Sequence, residues 1–337
     1  MSNIAPQRRG FLAGGNFIVD SVKIIDAWPE QDTLSHILEI RRCNGGGPYN
    51  FLKNLARLDS SMPREACGLI GADVDADWLI EDCRLAEIDI VQLRVREGEA
   101  TSVTDAMTVA STGRRTFFHA VGANALLGAA DFDFSQTQAR VFLLGYLMLL
   151  DTMDRLAADG STEAAQVLRR AREAGLIAAV DCVSTPNPRF REISLAALAE
   201  ADVFFANEIE AGWILGRKVD LASARIAVSE LANLGRADAV LHFPEGAFAC
   251  RSGSTEAFAQ GSVRLPSAEI IGATGAGDAF ATGYLYGVHE GWSVSQALLC
   301  GVCVAAQSLT DATPSGGVAS LADCMKLGEI HGYRTLD

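Results

Sequence analysis

The sequence predicts an α/β fold with a doubly wound, mostly parallel sheet and a small β-sheet lid. Three observations predict it. Short apolar runs alternate with amphipathic helical stretches over most of the 337 residues. Several of those runs end in a polar residue at a turn, as at Asp20, Asp181 and Asn207. Two segments, about 22–42 and 95–119, break the alternation and carry β-favouring stretches such as Thr101 to Val109 and Arg115 to Phe118.

The elements follow in order. Phe11 to Val19 reads as a strand ending at Asp20. Gly45-Gly46-Gly47-Pro48 opens a helix through Tyr49, Leu52 and Leu55, with Pro48 in its first turn. Ala66 to Ile70 is a strand, Trp78 to Ala86 a helix and Ile88 to Leu93 a strand. Val141 to Leu144 is a strand, Ser161 to Ala174 a helix stopped by Gly175, and Ile177 to Val180 a strand reaching Asp181. Val203 to Ala206 is a strand running into Asn207 and a helix; Ala222 to Leu234 is helical and Ala239 to Leu241 a strand. Phe280 to Val288 and Val294 to Ala306 are helices. The two excursions are expected as a lid over one end of a single domain, residues 1–337; ordinary surface hairpins are the alternative.

Composition narrows the function. Hydrophobic residues make up 49% of the chain, enough for one large core. A formal net charge of −14 repels phosphate backbones and anionic lipid, so neither nucleic acid nor a membrane surface is expected as a partner. No run of eighteen apolar residues occurs and the N-terminus lacks a signal-peptide core, which predicts a cytoplasmic protein. Eight scattered cysteines read as buried thiols. Cys300 and Cys303, in an apolar helical stretch, read as core rather than as a metal or redox pair.

Three motifs carry chemistry. Gly272-Ala273-Thr274-Gly275-Ala276-Gly277-Asp278 is a run of small residues before an apolar helix, a turn whose N–H groups can cradle an anion. Asp278 there either caps the helix or takes a proton from a phosphoryl acceptor. Neither a dinucleotide fingerprint nor a P-loop fits, because residue 280 is Phe and no G-x-x-x-x-G-K-[ST] occurs. Asn207 and Glu210 share the first turn after a strand, where they either cap the helix or hold Mg²⁺ through its waters. Gly45 to Asn50 is either a plain turn or a close backbone approach to a ligand, with Asn50 offering donor and acceptor.

In this fixed order the motifs resemble the ribokinase-like (PfkB) carbohydrate kinases. Gly45 to Asn50 is similar to that family's N-terminal glycine-rich signature, Asn207 to Glu210 to its N-x-x-E motif, and Thr274 to Asp278 to its T-G-A-G-D core. The resemblance implies ATP-dependent phosphorylation of a hydroxyl on a small sugar. It implies Asp278 as general base, an anion hole at Gly275, Ala276 and Gly277, and substrate contacts from Asp20, Gly46 and Asn50. Asn207, Thr274 and Gly246 would serve the nucleotide, and Glu210 the Mg²⁺. A nucleoside kinase or a non-catalytic sugar-sensing relative would use the same scaffold. The pattern departs from the family at Gly272, where relatives often carry the Asp tied to a monovalent-cation site, and at His242 to Gly246, where only the second glycine of a G-x-x-G turn is clear. An apolar outer face of the lid, with Ile37, Ile40, Val103 and Val109, predicts a homodimer.

Overall fold

A computed structural model describes residues 8–336. Nine strands form the main sheet: β1 (Phe11–Gly15), β4 (Arg64–Ile70), β5 (Asp89–Val95), β8 (Val141–Leu147), β9 (Ile177–Cys182), β10 (Val203–Asn207), β11 (Asp238–Phe243), β12 (Gly246–Cys250) and β13 (Ala257–Gly261). Their order is β13-β12-β11-β10-β9-β8-β1-β4-β5. The pairs from β11 to β5 are parallel, and β12 and β13 extend the sheet antiparallel. Four further strands, β2 (Ile18–Ile25), β3 (Ile37–Gly45), β6 (Ser102–Val109) and β7 (Arg115–Ala120), form a second sheet in the order β3-β2-β6-β7.

The main helices are α1 (Gly47–Leu58), α2 (Val74–Leu85), α3 (Glu163–Glu173), α4 (Phe190–Leu198), α5 (Glu208–Leu215), α6 (Ala224–Ala232), α7 (Ala276–His289), α8 (Val294–Ser308) and α9 (Leu321–His331). They cover both faces of the large sheet, so its central strands are apolar on both sides. Along β1, Leu12 enters one core cluster with Phe142, Leu168 and Phe204; its neighbours Phe11 and Ala13 enter the other with Leu55 and Leu285. All eight cysteines are buried free thiols. Among the described residues, no helix is long and apolar enough to cross a membrane.

The apolar run expected as one strand up to Asp20 is two strands in two sheets. Gly15 has φ of 128°, a left-handed backbone that turns the chain. Asn16, fully buried, then anchors it: its N–H donates to the Gly145 carbonyl at 2.9 Å and its Nδ2 to the Leu149 carbonyl at 2.9 Å. Asp20 therefore stands on β2 of the small sheet. Val103 also differs from expectation. It packs against the main core rather than on the outer face, because it pairs with Val19 of β2, which is itself part of that core.

Candidate active site

The chain reverses its direction of winding between β1 and β8, which pair with each other while β1 also pairs β4. Side chains beyond the carboxyl ends of the parallel strands meet at that switch point. They include Asn16 after β1, Tyr146 on β8, Asp181 on β9, Asn207 on β10 and His242 on β11.

Helix α7 starts at this edge. Gly275 is its N-cap with φ of 76°, and a Cβ there would meet the Pro314 carbonyl at 2.6 Å, so only glycine fits. Ala276, Gly277 and Asp278 are its first three residues, where helix geometry leaves N–H groups without intrahelical acceptors. Asp278 is buried and held by two donors. Asn50 Nδ2 donates to Oδ2 at 2.8 Å, and the Tyr146 hydroxyl donates to Oδ1. Burial pushes the Asp278 carboxyl up to about 6 against the opposing pull of those two bonds.

Asn50 lies in the first turn of α1, whose N-cap Gly46 has φ of 84°. Its Oδ1 accepts from Asn44 Nδ2 at 2.7 Å, and Asn44 Oδ1 accepts from the Ser315 hydroxyl at 2.9 Å. Asp20 sits across from Asp278, over Gly45. Burial raises its carboxyl to about 7; the Thr104 hydroxyl beside it lowers it and the charge of Asp278 raises it further. Asp278, Asn50, Asp20 and the Gly46 turn thus converge on one point. Tyr146, Asn44 and Thr104 also stand there, and no sequence motif marked them.

Asn207 and Glu210 realise a reciprocal cap of α5. Asn207 Oδ1 accepts from Ile209 N and Glu210 N, and Glu210 Oε2 accepts from Asn207 N at 2.9 Å. Ser184 ties them together, accepting from Asn207 Nδ2 and donating to Glu210 Oε1, each at 2.7 Å. Burial raises Glu210 to about 7. Asp181 is raised well above the carboxylate range by burial, then by Glu210 and Asp278. Asp181 thus lies within the field of both Glu210, at the head of α5, and Asp278, at the head of α7. Among the described residues no three metal-ligating side chains converge, so a cation here would be held largely through waters and phosphate oxygens.

On the far side of Gly277 lies a cavity of about 470 Å³, lined by His242, Phe243, Gly246, Phe280, Ala305 and Leu309 among others. Burial lowers His242 to about 4, so the ring is neutral. Thr274 lies in the loop leading from this cavity to Gly275. A larger cleft of about 890 Å³, on the outer side of α4 and α5, shares only Glu208 with the cavity and none of the buried carboxylates.

The chain belongs to the pfkB family of carbohydrate kinases: the family model matches residues 15–318. Its structural neighbours are ribokinase-family kinases. A ribokinase from Arabidopsis thaliana, solved with ribose and ATP, superposes with a TM-score of 0.76 at 19% identity, covering 95% of this chain and 98% of that one. The ribokinase of Thermotoga maritima gives 0.76 at 17% identity, covering 95% and 99%. A nucleoside kinase from Burkholderia thailandensis, in complex with inosine, gives 0.73 at 17% identity, covering 97% and 100%. At these identities the likeness concerns the fold. No curated protein sequence matches the chain.

Proposed function

We propose that the protein transfers the γ-phosphoryl group of ATP to a hydroxyl of a small sugar, with Asp278 as general base. The observation that carries this is the placement of Asp278: a buried carboxyl near 6, one residue beyond the Gly275–Gly277 turn and facing Asp20 across the crevice. A base of that strength is mostly ionised at neutral pH and still takes a proton as the bond to phosphorus forms. Asp20, Asn50 and the Gly46 backbone would orient the sugar. The backbone N–H groups of Gly275, Ala276 and Gly277, with the α7 dipole, would stabilise charge on the moving phosphoryl group.

The nucleotide would occupy the cavity beside Gly246 and Phe280, its phosphates reaching Thr274 and Asn207. Mg²⁺, held through waters by Glu210 and Asp181, would neutralise phosphate charge. Gly272 supplies no carboxylate, and a Cβ there would meet the Asp311 carbonyl at 2.9 Å. A monovalent cation should then activate little, and a strong rate difference between K⁺ and tetramethylammonium buffers would contradict that. ATP consumption over a panel of sugars and nucleosides, with Mg²⁺ present and absent, tests the whole reading. Turnover of none refutes it.

One observation favours a nucleoside as the acceptor. Val22, Ala106 and Phe117 are paired across the small sheet two residues beyond Asp20 and Thr104, hence on the same face. Phe117 is exposed there, an apolar wall against which a base could stack. The same panel separates the two acceptors.

A further inference from the structure

The 470 Å³ cavity holds one polar ring without a role, that of His242. His242 is the register partner of Asn207 across β10 and β11, so it lies beside the head of α5. Its ring also rests against the head of α7. A Cβ on Gly277 would stand 3.3 Å from its Cε1 and 3.6 Å from its Nε2, so the Cε1–Nε2 edge is the one turned to that helix start. Phe280 packs on the ring, 5.6 Å away between centroids. The ring is half-buried. Neither of its nitrogens has a hydrogen-bond partner among the described residues, and neither is sealed inside protein. The polar edge is therefore open to the cavity that it lines.

Charge alone does not make this cavity hold phosphates. The charged side chains lining it are Glu208 and Arg334, of opposite sign. Apart from His242 and Ser262 the other lining side chains are apolar, and Ser262 Oγ is sealed in protein. The donors that remain on this side are the N–H groups at the start of α7 and the His242 ring. An imidazole with neither nitrogen pinned is free to carry its proton on Nε2, and an anion, which only accepts, selects that tautomer. Asp278 does not line the cavity. An anion that meets His242 is thus separated by Gly277 from the proposed general base, on the side of the group that stays with the nucleotide.

We infer that His242 binds the nucleotide by donating, through Nε2–H, to a phosphate oxygen that remains on ADP after transfer. This rests on the proposed placement of the nucleotide in the cavity beside Gly246 and Phe280. His242 is then a binding residue for the phosphate donor, separate from the N–H groups that serve the moving phosphoryl group. The bond outlasts the transfer, so it holds MgADP as well as ATP. Gly277 also gains a second reason to lack a side chain, since a Cβ there would crowd the ring edge that carries Nε2.

Binding of MgADP, measured by calorimetry on the parent, His242→Leu and His242→Gln, tests this without requiring turnover. His242→Leu keeps apolar bulk against Phe280 but has no donor. Its affinity should fall at least about tenfold, as expected for one lost hydrogen bond to a charged group. His242→Gln places an amide N–H near the position of Nε2 and should recover part of the loss. Long-range ¹⁵N–¹H spectra of the histidine-labelled parent with MgADP should show a proton on His242 Nε2. Equal MgADP affinity for parent and His242→Leu overturns the inference and leaves the kinase reading intact. His242→Gln no tighter than His242→Leu reduces the ring to packing against Phe280 and also overturns it, as does a bound-state ring with no proton on Nε2. A parent that binds no MgADP overturns it together with the placement of the nucleotide. The kinase reading is decided separately, by turnover over the acceptor panel. Turnover of none, with MgADP binding that depends on His242, refutes the kinase and leaves this inference standing.

Discussion

Asn50 can present only its amide nitrogen to Asp278, because its oxygen is occupied by Asn44. The orientation of one buried amide thus depends on another, and through Ser315 on the loop beside Gly275. Asn44→Leu removes that constraint, and Asn50 can then turn its oxygen toward the carboxylate. Since the Asn50 bond lowers the Asp278 value, its loss raises that value. The acid limb of the kcat profile should move to higher pH and kcat should fall at pH 7. Ser315→Ala should shift the limb the same way by less. A variant that is merely less stable, with an unmoved limb, argues against the positioning role.

Glu210 is engaged in a cap, and that makes it separable from its proposed service to Mg²⁺. Gln at 210 still has an oxygen to accept from Asn207 N and Ser184 can reorient, so the fold should be retained. The variant lacks the charge. Glu210→Gln should therefore need more Mg²⁺ for half-maximal rate and turn over more slowly, with sugar affinity almost unchanged. A titration of rate against free Mg²⁺ identical to the parent's would leave Glu210 as a helix cap alone.

Much of this architecture can be read from residue patterns, and the failures have physical causes. Parallel strands such as Val141–Leu147 and Val203–Asn207 are continuous apolar runs because both faces are buried. Strands β12 and β13 carry little sequence signal: GAFAC and AFAQG are five residues each and rich in Gly and Ala, with no β-branched residue. The break at Asn16 has no local signature, because the left-handed Gly15 and the bonds from Asn16 to Gly145 and Leu149 exist only once β1 and β8 are paired. The glycine turn and Asp278 stand out in the sequence. Tyr146 and Asn44 do not, since each reaches Asp278 or Asn50 only through tertiary packing.

The small sheet points to self-association. Ile37 and Ile40 are 47% and 63% exposed, and Phe118, also exposed, stacks on Trp28. Such a surface is costly in water. A homodimer joined through it is expected at micromolar concentration in sedimentation equilibrium, and Ile40→Glu should yield monomers. A parent that stays monomeric at every concentration rules the dimer out.

Asp154 offers a test of stability apart from catalysis. Its Oδ2 accepts from the N–H groups of Met148 and Leu150 at 2.9 Å, while Oδ1 is buried without a partner. Burial raises the carboxyl to about 7 from 3.8. The folded state thus holds the proton more tightly than the unfolded chain. Stability linked to this group is fully present below about 4 and is lost as pH rises toward 7. Asp154→Asn removes the titration and keeps an acceptor for both N–H groups. Its Tm should exceed the parent's by several degrees at pH 8, by less at pH 5, and by almost nothing near pH 3.5. A gain independent of pH would assign the effect to something other than ionisation.

Asp278→Asn addresses the chemistry directly. The side chain keeps its size and can still accept from Tyr146 or Asn50, but it cannot take a proton. General-base assistance is typically worth about 10²–10⁴-fold, so turnover should fall at least about a hundredfold with ATP and acceptor affinities little changed. Capping alone predicts near-parental turnover, since Asn caps a helix about as well as Asp. The parent's pH profile supplies an independent check. The base acts when ionised, so activity should be lost as pH falls through about 6, the value for Asp278, with the limb broadened toward 7 by Asp20 and Glu210. The measurement is steady-state turnover of parent and variant on the acceptor that the panel identifies, from pH 5 to 9, with a thermal melt of the variant to establish that it is folded. A folded Asp278→Asn with turnover close to the parent's would remove Asp278 from the mechanism and require another group to take the proton.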